Sequence, residues 1–174
     1  MGGAKPARLV AGRPLASYPA GALLELCERV AVVAKPGLRL PDGPWELWDD
    51  EPLEPRHPAA GIAHALRRAG ARLLVCAADM PFVTVGDCEL VLAAAPGAGT
   101  AVAVADGELQ PTLGVYDPAV AGALADAAER GEPLRRAVAE LDPVWVELPA
   151  AAVRSVNTPA ELAAAERELA SRAP

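Results

Sequence analysis

Apolar positions fall along the chain in short blocks whose spacing alternates between the helical and the extended period. Leu15, Tyr18, Ala22 and Leu26 recur at helical intervals, with Leu23 and Leu24 widening the face, and predict a helix from Leu15 to Glu28. Val30 to Ala34 is a β-branched run that ends at Lys35-Pro36-Gly37, so it reads as a strand closed by a turn. Trp45 to Trp48 gives a weaker strand, followed by an acidic, proline-rich loop from Asp49 to Pro58; loops of that length in compact domains carry function or disorder. A helix over 59–69 ends at Gly70, where a left-handed cap is expected. The run from Leu73 to Phe82, L-L-V-C-A-A-D-M-P-F, carries an apolar strand straight into Asp79 and then Pro81. Its continuous apolarity predicts a strand buried on both faces, ending at the carboxyl edge of a sheet.

Beyond it, Thr84 opens a helix to Ala95, with Asp87 placed for a capping box, and Thr100 to Ala105 is another buried strand. Asp106-Gly107 turns the chain so that Thr112 to Tyr116 returns as an antiparallel partner. Helices over 118–129 and 134–140, a strand over 144–148 and a helix opened by Thr158-Pro159-Ala160-Glu161 and running to about Ser171 complete the series. Helix alternating with strand builds an α/β fold with a mostly parallel, doubly wound sheet. At 174 residues one domain over 1–174 is expected. Such a fold normally opens with a strand feeding a glycine turn, whereas this chain opens on the glycines themselves.

Composition narrows the picture. Hydrophobic residues at 52% with 22% charged exclude a disordered chain, and 3% aromatics leave the core to Ala, Val and Leu. A net charge of -7 without a basic stripe argues against nucleic acid as a partner. Small phosphorylated ligands stay open, because one lysine, a few backbone N–H groups and a divalent ion can hold a phosphate. The lysines are Lys5 and Lys35, and Lys5 lies beside glycines. Cys27, Cys76 and Cys88 have no C-x-x-C spacing, so buried free thiols in the reducing cytoplasm are expected. The uncharged stretch from Leu90 to Ala105 is broken by Pro96, Gly97 and Gly99 and cannot be one membrane helix, and a soluble chain without membrane contact is expected.

Three features offer chemistry, each with a plainer alternative. Asp79 suits a metal or hydroxyl ligand at the sheet edge, or a turn cap before proline. Gly2, Gly3 and Lys5 read as the tail of a phosphate-binding loop, or as a flexible terminus. Asp49 and Asp50 follow a predicted strand and can share an edge and a divalent cation with Asp79, or form a solvated acidic loop. His57 and His64 lack zinc spacing, and no G-x-S-x-G elbow, full Walker A or G-x-G-x-x-G is present. Pro81 occupies the place where a strand-end aspartyl phosphatase carries its second Asp.

Seven stretches in order, G-G-A-K (Gly2 to Lys5), A-G-R-P-L (Ala11 to Leu15), D-E-P-L-E-P-R-H-P-A-A-G (Asp50 to Gly61), C-A-A-D-M-P-F (Cys76 to Phe82), D-G-E-L-Q-P-T (Asp106 to Thr112), G-E-P-L-R-R (Gly131 to Arg136) and V-N-T-P-A-E-L (Val156 to Leu162), resemble the MobA-like nucleotidyltransferases, particularly the molybdenum-cofactor guanylyltransferases. The resemblance implies a Rossmann-like three-layer α/β/α fold that transfers GMP from GTP to a molybdopterin-type cofactor with Mg, releasing pyrophosphate. By position, Asp79 is similar to the magnesium ligand, and Lys5, with Gly2 and Gly3, to the group that contacts the nucleotide phosphates. Asp50 is similar to the acidic residue near the guanine nucleotide, and Asn157 to an asparagine on the cofactor side. GTP and the cofactor are the implied small-molecule substrates, and a molybdoenzyme or chaperone is the implied protein contact. The chain departs from the family in lacking its first strand and L-A-G-G loop ahead of Met1. It also lacks an aspartate before Lys5 and carries Ser155 where an additional asparagine is common. Cytidylyl transfer, another NTP transfer of the same superfamily, and a non-catalytic nucleotide-binding or adaptor module are the alternatives.

Overall fold

The computed structural model describes residues 7–37, 42–95, 97 and 99–172. Local signals account for most element boundaries. A hairpin of two-residue strands, β1 (Leu9–Val10) and β2 (Arg13–Pro14), turns through Ala11 and Gly12, both at positive φ. It is too short for periodicity to reveal. The first helix, α1, covers Ser17–Leu24, tighter than the predicted 15–28, because the N–H groups of Leu26 and Cys27 both fold back onto the carbonyl of Leu23. Strands β3 (Ala31–Val33) and β4 (Glu46–Trp48) follow, then α2 (Pro58–Ala69). His57 caps α2 by accepting from the Ala59 N–H, and Gly70 closes it at φ 58°. Strand β5 covers Leu73–Cys76 and α3 covers Val85–Ala93, the latter opened by the expected reciprocal box of Thr84 and Asp87.

Strands β6 (Ala101–Ala105) and β7 (Glu108–Tyr116) are joined by Asp106 and Gly107, both left-handed, as a two-residue hairpin turn requires. The return strand therefore starts at Glu108, four residues earlier than the sequence indicates. A single-turn 3-10 segment (Pro118–Val120) leads into α4 (Ala121–Glu129), and α5 (Leu134–Ala139), β8 (Val144–Glu147) and α6 (Pro159–Arg172) complete the chain.

Strand β7 lies antiparallel between β5 and β6, and β8 runs parallel to β6, giving the order β5-β7-β6-β8. Three of these four strands thus share one direction, and β7 is the antiparallel element. Strands β3 and β4 form a separate parallel pair. Alternate residues sort to opposite faces, as a pleated strand dictates. Ala101, Ala103, Leu113, Val115, Leu74 and Cys76 pack with residues of α1 and α3, whereas Val102, Tyr116, Leu73 and Val75 pack with α2, α4 and α5. The result is a three-layer α/β/α arrangement with an aliphatic core.

One expectation is corrected by this topology. Strand β5 ends at Cys76, three residues short of Asp79, and all four of its residues are only half-buried rather than covered on both faces. It pairs with β7 along one edge, while among the described residues its other edge lines a slot facing β3. Of the cysteines, Cys88 is buried as expected, but Cys27 and Cys76 are half-buried because they line that slot.

Candidate active site

Sequence-distant motifs converge at the carboxyl end of β5. After β5 the chain folds into a turn: the Ala77 N–H donates to the carbonyl of Thr112 at 2.8 Å, and the Met80 N–H donates back to Ala77 at 3.2 Å. Asp79 sits inside this turn, three residues past the end of β5 and just before the buried Met80, with Phe82 buried further along. Its carbonyl accepts the N–H of Val156 at 2.9 Å, which draws the strap leading into α6 against it. Asn157 is the next residue. The strap is held from below by a small apolar cluster in which Val10, Leu15, Phe82, Val156 and Ala165 are buried together. Three of the stretches read from the sequence, at 11–15, 76–82 and 156–162, therefore meet on one packing unit.

Capping chemistry sets the angle at which the strap leaves. Glu161 accepts the backbone N–H groups of Asn157 (2.6 Å) and Thr158 (2.9 Å), while the Thr158 hydroxyl accepts the Glu161 N–H at 3.2 Å. Two arginines outside the sequence-predicted site border the cluster. The Arg154 guanidinium lies 4.0 Å over the Phe82 ring and pairs with Glu168; Arg13 lies 4.7 Å over Tyr18, whose hydroxyl donates to the Val10 carbonyl at 2.7 Å. The sequence signal for Arg13 is its place in A-G-R-P-L; Arg154 has none, since its aromatic partner is 72 positions away.

Asp50 belongs to a different constellation, at the end of β4. It is exposed, lies 3.1 Å from His64 Nε2 and accepts from Arg68, both on α2. Partial desolvation acts to raise its pKa, but the contact with His64 and the Arg68 charge outweigh it and hold the carboxyl below its ordinary value. Arg68 stacks 4.8 Å over Trp48, whose indole N–H donates to Glu46 at 3.0 Å. Lys35, just past β3, donates to Glu51 at 3.0 Å and to the Pro52 carbonyl. The structure thus joins Asp79 to the Asn157 strap and ties Asp50 to α2. Gly2, Gly3 and Lys5 lie outside the described residues.

Among the described residues no group of three or more His, Cys, Asp or Glu could hold a metal ion, and no helix is long and apolar enough to cross a membrane. A carboxylate at Asp79 fits magnesium, which accepts one or two carboxylates and completes its shell with water and substrate phosphates. It does not fit an all-protein zinc or calcium cage.

No curated protein sequence matches the chain. Solved structures do. The 2-C-methyl-D-erythritol 4-phosphate cytidylyltransferase of Thermus thermophilus superposes with a TM-score of 0.73 at 24% identity, over 97% of this chain and 95% of that one. The 4-diphosphocytidyl-2C-methyl-D-erythritol synthase of Anaerococcus prevotii gives 0.71 at 10% identity, over 95% and 93%. The molybdopterin-guanine dinucleotide biosynthesis protein A of Archaeoglobus fulgidus gives 0.68 at 21% identity, over 97% and 91%. At such identities the likeness is one of fold. The family model of the MobA-like NTP transferase domain matches residues 1–144, most of the sequence, and the chain belongs to that family.

Proposed function

We propose that the chain is a nucleotidyltransferase of the cytoplasm that moves GMP from GTP onto the phosphate of a molybdopterin-type cofactor and releases pyrophosphate. The observation that carries this reading is the turn at the end of β5, where Asp79 is fastened to the Val156–Asn157 strap. In a sheet of this kind ligands bind outside the carboxyl ends of the strands, so the turn stands where a nucleotide would. The fold shared with the Archaeoglobus fulgidus protein supports the guanylyl branch.

In this reading Lys5 and the backbone N–H groups of Gly2 and Gly3 hold the nucleotide phosphates, Asp50 lies toward the guanine nucleotide and Asn157 toward the cofactor. Asp79 would hold magnesium, which when bound offsets the charge on the leaving pyrophosphate. An acceptor phosphate oxygen forms a bond to the α-phosphorus of GTP as the bond to pyrophosphate breaks, and the electron pair departs with pyrophosphate. Such a transfer asks little covalent chemistry of the protein; the two substrates must be held in line and their charge offset. The Val156 hydrogen bond and the Phe82 packing serve that task by fixing the Asp79 backbone.

Pyrophosphate release from GTP, CTP and ATP, each with magnesium and molybdopterin, tests the reading. GTP is expected to turn over best, and Asp79→Asn to lose at least about 100-fold with an unchanged circular dichroism spectrum. A preference for CTP with 2-C-methyl-D-erythritol 4-phosphate as acceptor would transfer the proposal to cytidylyl transfer, the reading favoured by the Thermus thermophilus superposition. Binding of nucleotide without any release would leave the non-catalytic module, and near-wild-type activity of Asp79→Asn would remove that residue from the site.

A further inference from the structure

The β3–β4 ladder continues past the ends of both strands. The Ala34 N–H donates to the Trp48 carbonyl at 2.8 Å and the Glu51 N–H donates to the Ala34 carbonyl at 3.3 Å, so the backbone brings Lys35 and Glu51 side by side at the carboxyl edge. Their side chains meet there, Lys35 Nζ donating to Glu51 Oε1 at 3.0 Å. These side chains are 27% and 13% exposed, whereas that of the neighbouring Asp50 is 57% exposed and is taken up by His64 and Arg68 of α2. Withdrawing two charges from water is costly, and their mutual attraction offsets that cost only when their remaining donors and acceptors are also engaged.

Those donors and acceptors are not all engaged. An ammonium has three N–H groups, and among the described residues Lys35 directs one to Glu51 and one to the Pro52 carbonyl, which leaves a third. No hydrogen bond from a described residue reaches Glu51 Oε2. That oxygen is still accessible, since no buried side-chain nitrogen or oxygen among the described residues lacks a partner. Gly61 of α2 lies against the face of the carboxylate: a Cβ there would stand 3.5 Å from Oε1, 3.7 Å from the carboxyl carbon and 3.8 Å from Oε2. The group is thus set flat against the helix, with its in-plane lone pairs left to accept. Side by side, the ammonium N–H, Oε1 and Oε2 offer one donor and two acceptors. The Watson–Crick edge of guanine is the complement, an O6 acceptor followed by the N1–H and N2 amine donors. Adenine and cytosine carry an acceptor nitrogen where guanine has N1–H, which would set lone pair against lone pair.

The pair also stands on the right edge of the fold. Helix α2 is the crossover from β4 to β5, the ordinary link between strands of like direction, so the ends of β3, β4 and β5 share one side. With the α-phosphate of GTP held at Asp79, the base extends along that edge toward β3 and β4. We propose that Lys35 and Glu51 read the guanine base, Lys35 donating to O6 and Glu51 accepting from N1–H and the N2 amine, and so set the preference for GTP. The proposal rests on the guanylyl reading of the site and adds to it the side chains that choose the base.

Calorimetric titration with GTP, inosine triphosphate (ITP) and CTP, each with magnesium, tests the assignment without turnover. ITP keeps O6 and N1–H and lacks the N2 amine. The wild type is expected to bind GTP at least about tenfold more tightly than ITP, the worth of one hydrogen bond to a charged group. Equal binding of the two overturns the proposal, and no substitution is needed to see it. Glu51→Gln should weaken GTP at least about tenfold, erase its advantage over ITP and leave CTP unchanged, because the amide presents a donor where guanine also donates. Lys35→Met removes only the O6 donor, and should weaken GTP and ITP in equal proportion with GTP still ahead. Both variants lose the same ion pair, so a mere tether for the loop would weaken all three nucleotides alike in both; that result overturns the proposal, as does an unchanged GTP-to-ITP ratio in Glu51→Gln. Tighter binding of CTP than of GTP by the wild type overturns it together with the guanylyl reading. The expected selectivity without pyrophosphate release removes the transfer reading alone and upholds the pair.

Discussion

Truncating Phe82 to alanine tests whether the small apolar cluster is what holds Asp79 in place. The ring is 4% exposed, packs with Val10, Leu15 and Val156, and lies beneath the Arg154 guanidinium. Removing a buried phenylalanine costs about 3–5 kcal/mol in lost transfer energy and residual cavity. The cation–π contact adds about 0.5 kcal/mol, the lower end of its range, because Arg154 is half-exposed. At about 2–4 °C per kcal/mol for a chain of this size, Phe82→Ala should lower Tm by about 10 °C and leave a folded protein. Urea unfolding followed by circular dichroism measures the loss, and pyrophosphate release measures the site. Since the Val156 N–H to Asp79 hydrogen bond depends on the same packing, turnover should fall in Phe82→Ala at temperatures where the variant is fully folded. Phe82→Leu, which keeps most of the volume, should cost under about 1.5 kcal/mol and restore most activity. A loss of less than about 1 kcal/mol in Phe82→Ala would refute the reasoning, and so would full activity in a variant destabilised by the expected amount.

Other perturbations probe the frame. Gly114 lies in β7 where it passes β6, and a Cβ there would meet the Ala101 carbonyl oxygen and Val102 Cγ1, each at 2.8 Å; Gly114→Ala should destabilise by about 1–3 kcal/mol in urea, and a gain in stability would refute that close approach. Thr84→Ala removes half of the box that opens α3 and should cost about 1 kcal/mol by the same assay, while Thr84→Ser should cost little. Burial pushes the Cys88 thiol up to about 12, with Asp87 and Cys27 adding to the shift. A raised thiol stabilises the fold below the unfolded-state value near 9 and ceases to do so as pH rises toward 12, because the unfolded chain gives up its proton first. The urea midpoint should therefore fall between pH 9 and 11 more steeply in the wild type than in Cys88→Ala, and parallel profiles would contradict the assignment.

Signals confined to a few neighbouring residues are legible in the sequence alone. Gly70 takes the left-handed cap expected of it, Thr84 and Asp87 form their box, and Asp106-Gly107 makes the hairpin turn. Each depends only on residues within four positions. The β1–β2 hairpin is invisible to the pattern because two-residue strands carry no period, and β7 reads short because Glu108, Leu109, Gln110 and Pro111 do not look like a strand until β6 offers them a partner. In the candidate site, Asp79 is legible through its place after an apolar run. Arg154 over Phe82 is not, because the pair exists only when the strap before α6 is laid across the β5 turn.

By itself, the order of apolar blocks, caps and turns determined an α/β chain with helices between strands, and the ordered motifs determined its resemblance to the MobA-like nucleotidyltransferases. Tertiary structure alone decided that β7 inserts antiparallel between β5 and β6 and that the β5 turn accepts the Val156 strap. It also decided that β5, for all its apolar residues, pairs along one edge with β7 and lines a slot along the other among the described residues. The division has one physical cause. Capping and turn formation are settled by atoms close in sequence, whereas the neighbour of a strand edge is settled by which distant segment can satisfy its hydrogen bonds and cover its faces.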